Sequence, residues 1–92
     1  MKTSTVSKGK RVSFQLTVEP GSEVFVAGSF NNWNPTQHRM KDKPGSGHYK
    51  KMLVLPPGTH EYKFIMNGEW VTDPTSEWTP DGCGALNSVL TV

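Results

Sequence analysis

The run Tyr62 to Trp70, YKFIMNGEW, constrains the fold of this chain more than any other stretch, because an alternating strand meets the hairpin signal Asn67-Gly68 and a tryptophan follows at once. With a two-residue turn, Ile65 lies opposite Trp70, Phe64 lies opposite Val71, and Lys63 falls diagonal to Trp70 on the same sheet face. Side chains alternate along a strand, so Tyr62, Phe64, Met66 and Val71 share one face and make a core set. Lys63, Ile65 and Trp70 share the other. That is an odd trio for a face meant only to meet water.

The rest of the chain repeats the period of two. Val12, Phe14, Leu16 and Val18 alternate with polar residues until Pro20-Gly21 ends the strand. Glu23 to Phe30 turns Val24, Val26 and Gly28 one way and Phe25 the other, before the loop SFNNWNP, where Pro35 keeps Asn34 extended. Residues 36 to 47 form a polar excursion in which only Met40 looks inward. A third strand, 47 to 55, ends at Pro56-Pro57-Gly58, the strongest turn signal in the chain, and the hairpin 59 to 66 and 69 to 72 follows. Asp73 to Gly84 holds two Pro and two Gly without alternation and reads as a long ordered loop, and a last strand carries Ser88, Leu90 and Val92. Six or seven short strands with turn signals every ~8 to 12 residues predict an all-β, antiparallel β-sandwich.

With 92 residues, the chain has room for one small domain and one modest core. Residues 1–10 are polar and aperiodic, a flexible leader or linker, and 11–92 form the folded module. Lys2, Lys8, Lys10 and Arg11 carry the formal charge of +2, because residues 12–92 hold six basic and eight acidic side chains. Nucleic-acid binding by phosphate neutralisation is therefore disfavoured. The single cysteine, Cys83, makes no internal disulfide and no Cys-rich zinc site. There is no apolar signal region and no run of membrane-spanning length, so a soluble intracellular protein is expected.

Catalysis finds no constellation here. His38, His48 and His60 lack metal-ligand spacing, and there is no G-x-S-x-G, phosphate-binding or dinucleotide-binding loop. Neither an enzyme nor a cofactor is expected.

The aromatic residues discriminate better. Phe14, Tyr62 and Phe64 sit at core positions, whereas Trp33 stands among asparagines and Trp70 lies on the Lys63 face. Two exposed indoles beside amides and a lysine suit a neutral sugar polymer: the C–H face of a pyranose packs on an indole, and its hydroxyls need donors and acceptors at the rim. Asn31, Asn32, Asn87 and Lys63 supply that rim. The alternative is that Trp33 and Trp70 plug the ends of the sandwich as satellite core residues, since indoles are highly buried on average. Trp78 is either a third platform or, the preferred reading, a loop anchor.

GSFNNW (28–33), PPGTHEYKF (56–64), NGEW (67–70), DP (73–74) and NSVLTV (87–92) resemble, as an ordered set, carbohydrate-binding module family 48. That family includes the glycogen-binding domain of the AMP-activated protein kinase β-subunit and the N-terminal module of starch-branching and debranching enzymes. The resemblance covers 11–92. It implies an immunoglobulin-like β-sandwich of about seven short strands that binds α-1,4-linked glucans such as glycogen, starch and maltooligosaccharides without catalysing a reaction. By position, Trp33 and Trp70 match the stacking tryptophans, Lys63 the hydrogen-bonding lysine and Asn87 the asparagine near the last strand; Asn32 is a weaker candidate. Two positions depart from the pattern: Cys83 stands where the kinase-subunit modules place a leucine, and Ala85 replaces a threonine. The loop carrying them should grip less, cyclic glucans above all. Some family members instead act as packing domains, so docking to a protein partner or to a fused enzyme domain is the alternative function.

Overall fold

The computed structural model describes residues 9–42 and 45–92. The expected leader lies outside the described residues apart from Gly9 and Lys10, and Lys10 already opens the first strand. The strands are β1 (Lys10–Thr17), β2 (Val24–Gly28), β3 (His38–Arg39), β4 (Lys41–Asp42), β5 (His48–Leu55), β6 (Thr59–Met66), β7 (Glu69–Val71), β8 (Glu77–Pro80) and β9 (Leu86–Thr91). All pairings are antiparallel. One sheet runs β1-β5-β4 and the other β3-β2-β6-β9-β8, with β7 also paired to β6. This is the expected all-β sandwich, and seven of its strands exceed two residues.

The alternation read from sequence sets the core. Phe14 and Leu16 from β1, Tyr49 and Leu55 from β5, Val24 and Val26 from β2, and Tyr62 and Phe64 from β6 form one buried cluster with Met40. Each large side chain so buried stabilises the fold by about 1.5–3 kcal/mol relative to exposure. Phe14 meets Tyr62 edge-on at 4.9 Å, an arrangement that aligns the positive ring edge with the negative face.

Strand β6 is the organising element. Along one side it pairs with β2; along the other, its first half pairs with β9 and its second half with β7. The β6–β7 turn is Asn67-Gly68 with both φ angles positive (51° and 87°), the conformation that matches strand twist in two-residue hairpins. The resulting register puts Ile65 opposite Trp70 and Phe64 opposite Val71, as expected.

Two expectations about loops need correction. Within 73–84, Glu77–Pro80 forms a strand on β9, and within 36–47 two two-residue strands flank Met40. In the first case the alternation spans only four residues and ends in proline. In the second, backbone pairing is fixed from outside the segment, for instance by the Met40 N–H donating to the Val24 carbonyl at 2.8 Å.

Asp73, on the segment between β7 and β8, is buried and ties that segment down. Its Oδ2 accepts from the Tyr62 hydroxyl (2.7 Å), and its Oδ1 from the Thr75 N–H (2.9 Å) and hydroxyl (2.7 Å). Its own N–H donates to Ser88 Oγ at 2.7 Å, and its carbonyl accepts from Trp78 Nε1–H at 3.0 Å. Trp78, paired with Ser88, thus bonds this segment through its ring N–H as the anchor reading expects, while its indole stays half-exposed.

Candidate functional site

The face of the six-stranded sheet away from the core cluster carries the groove. Residues directly opposite in an antiparallel pair share a face, which places Lys63 beside Ala27 and Ile65 between Phe25 and Trp70. Ala27 and Ile65 are buried, so this face has an apolar floor although it lies outside the core cluster.

Trp33 reaches the same face through a strained turn. Gly28 ends β2 where it packs on β6: a Cβ there would come within 2.3 Å of the Glu61 carbonyl oxygen and 2.9 Å of Tyr62 Cβ, so only glycine fits. A 3₁₀ turn, Ser29–Asn31, follows, and Asn32 (φ 57°) and Trp33 (φ 58°) both adopt the left-handed conformation. A bulky residue there costs on the order of 1–3 kcal/mol unless its surroundings hold it. They do so through the Trp33 N–H, which donates to the Gly28 carbonyl at 2.9 Å, and the Asn34 N–H, which donates to the Asn31 carbonyl at 3.2 Å. Asn31 is spent on this turn, its Oδ1 accepting from the Gly28 N–H at 3.0 Å. It is a turn builder, not a rim group.

The Trp33 and Trp70 rings converge to a centroid distance of 6.4 Å at 50°. Together with Ser29, Glu61, Lys63, Asp81 and Asn87 they line a groove of ≈ 460 Å³. Inside it, the Asn87 amide Nδ2 donates to Glu61 Oε1 at 2.9 Å, which leaves the Asn87 carbonyl oxygen as an acceptor. Lys63 Nζ stands 3.8 Å from Asp81 Oδ2, both side chains largely shielded from water. The N–H groups of Cys83 and Ala85, which donate to Asp81 Oδ1 at 2.7 and 3.1 Å, hold the Asp81 carboxyl below the usual range, and Lys63 adds to the effect. Two angled apolar walls with donors and acceptors between them can hold an amphipathic, uncharged ligand.

Of the residues singled out from sequence, Trp33, Lys63, Trp70 and Asn87 come together in this groove. Asn32, Cys83 and Ala85 do not: all three are exposed and none lines it. Ser29, Glu61 and Asp81 were missed. Glu61 had a signal, standing two residues before Lys63 and hence on its face, whereas Asp81 had none, because it arrives on a loop. Among the described residues no group of three or more His, Cys, Asp or Glu side chains is placed to hold a metal, and no helix is long and apolar enough to cross a membrane.

Comparison with known proteins assigns the chain to a family. The 5'-AMP-activated protein kinase subunit beta-2 of Mus musculus is 38% identical over 74 residues, covering 80% of this chain and 26% of that protein. The Homo sapiens subunit beta-2 gives the same values. The subunit beta-1 of Sus scrofa is 33% identical over 72 residues, covering 78% of this chain and 56% of that sequence. The chain spans about a quarter of the length of the first of these relatives. A family model described as "Glycogen recognition site of AMP-activated protein kinase" matches residues 11–92, and the chain belongs to that family.

Proposed function

We propose that the groove binds α-1,4-linked glucan, whether glycogen, starch or maltooligosaccharide, as a binding module that makes and breaks no covalent bond. The observation that carries this reading is the pair of indoles 6.4 Å apart over a polar-lined groove. Trp33 and Trp70 are the stacking platforms, Lys63 donates to sugar hydroxyls, and the Asn87 carbonyl oxygen accepts from them. An uncharged ligand fits a groove whose charged groups, Lys63, Glu61 and Asp81, already have partners. The family's description as a glycogen recognition site supports the same ligand class.

Retention on amylose resin tests it, with Trp70→Ala as control. Aromatic stacking contributes about 1–3 kcal/mol per platform where it has been measured for nucleic-acid bases, so the variant should lose roughly five- to 150-fold in affinity. Equal retention of both proteins, or of neither, would sink the proposal.

A second reading has one observation in its favour: the relatives named above are subunits of a kinase, and this chain matches only part of each. The module would then be a docking domain with little glucan affinity. Tryptophan fluorescence unchanged by soluble glucan, together with co-purification of a protein partner, would favour it.

A further inference from the structure

The connection between β8 and β9, residues 81–85, is built on Asp81. Besides accepting the N–H groups of Cys83 and Ala85 through Oδ1, Asp81 donates its own N–H to the Ala85 carbonyl at 3.0 Å, and Gly82 (φ 87°) and Gly84 (φ 92°) supply the left-handed turns. One carboxylate oxygen thereby closes the loop on itself. The other, Oδ2, faces Lys63 across the groove, with the two side chains only 19% and 15% exposed. The loop tip, Cys83, is exposed and off the groove, while the loop base lines it.

We infer that Asp81 is a positioning residue for the groove: it holds the Lys63 ammonium in place for sugar hydroxyls and ties the 81–85 loop to β6 from its base. This rests on the glucan reading of the groove. A lysine head on a four-carbon stem spreads over many rotamers, and ordering it on ligand binding costs affinity. A partner already in place removes part of that cost, and at 3.8 Å the Asp81 carboxylate attracts the ammonium without taking up a hydrogen bond, so its N–H donors stay available for the ligand. The same Cys83 and Ala85 N–H groups, with Lys63 adding to them, favour the ionised form of this partner. Because Cys83 and Ala85 are exposed and off the groove while Asp81 lines it, the base of the loop, not its tip, is the part that acts on the groove.

Maltoheptaose titrations of wild type, Asp81→Asn, Lys63→Met and the double variant test this, with Trp70→Ala alongside. Asparagine keeps the Oδ1 acceptor, so the amide resonances of Cys83 and Ala85 should stay in place in the free protein. Asp81→Asn should weaken binding about fivefold, and less than about twofold once Lys63 is gone, because interacting residues are non-additive. Affinity equal to or tighter than wild type, or the same loss with and without Lys63, would overturn the positioning role; an unchanged loss accompanied by shifted loop amides would assign Asp81 to loop building alone. If wild type fails to bind maltoheptaose, the glucan reading falls and this inference with it. If wild type binds, Trp70→Ala does not, and Asp81→Asn matches wild type, only the role of Asp81 falls.

Discussion

Two loops of this module are each organised by an aspartate, and the two aspartates meet neighbouring residues of β6 from opposite faces. Asp73 takes the Tyr62 hydroxyl on the core face; Asp81 takes the Lys63 ammonium on the groove face. Asp73 is buried among partners that are themselves buried, Tyr62 and Ser88, so each hydrogen bond there prevents an unsatisfied polar group. Asp81 lies at the rim, bonded to the exposed backbone of its own loop. The difference teaches that chemistry of the same type secures the fold on one side of the strand and, in the role proposed for Asp81, positions a groove lysine on the other.

The largest expected effect is at the core-face aspartate. Asp73→Ala strands the Tyr62 hydroxyl and the Thr75 N–H, and should cost about 3 kcal/mol or more in urea unfolding, while any folded protein retains its glucan affinity. Next comes Tyr62→Phe, expected to cost about 1.5–3 kcal/mol because the lost hydrogen bond is to a charged group. Burial first, then the Asp73 carboxylate, push the Tyr62 phenol far above its usual range. The phenol ionises near pH ~10 in the unfolded chain but not in the folded one, so its share of stability is whole below that value and is lost as pH rises beyond it. Alkaline unfolding of the phenylalanine variant should lack that part of the decline.

This division of labour was only partly legible in the sequence. The hairpin, its register and both faces of β6 follow from period-two alternation and Asn-Gly, which are local. Strand β8 was hidden because Glu77, Trp78, Thr79 and Pro80 alternate too briefly and their pairing comes from β9. Four groove residues were found because tryptophans, a lysine and an asparagine outside the core pattern stand out. Asp81 was not, since its ion pair with Lys63 joins residues far apart in the chain and depends on how the loop closes. The candidates at 83 and 85 came from position in a motif, and the closed loop leaves them outside the groove.

Smaller effects belong to the groove face and should spare stability. Trp33→Gly removes a platform while placing at φ 58° the residue that tolerates it best. Maltoheptaose affinity should fall by about 1–3 kcal/mol with the urea midpoint unchanged or raised, and a clear loss of stability would show that the indole serves the core instead. Smallest is Cys83→Leu. Added apolar reach at the exposed tip should tighten cyclodextrin binding by about two- to fivefold without shifting the midpoint, a fraction of what full burial of a leucine would give. A destabilised Cys83→Leu protein would break the comparison from the other side.

The shared flank of β6 has a kinetic meaning. Trp70 rides on β7, three residues held to one half of β6, and Asn87 rides on β9, held to the other half and also to β8. The short strand should open locally more often, so the amides of Glu69 to Val71 exchange with solvent faster than those of β9. A glucan chain spanning Trp70 and Asn87 would clamp both halves at once, slowing exchange most where the free module frays most. Occupancy of the groove would then be readable in the backbone, in the lifetime of a three-residue strand.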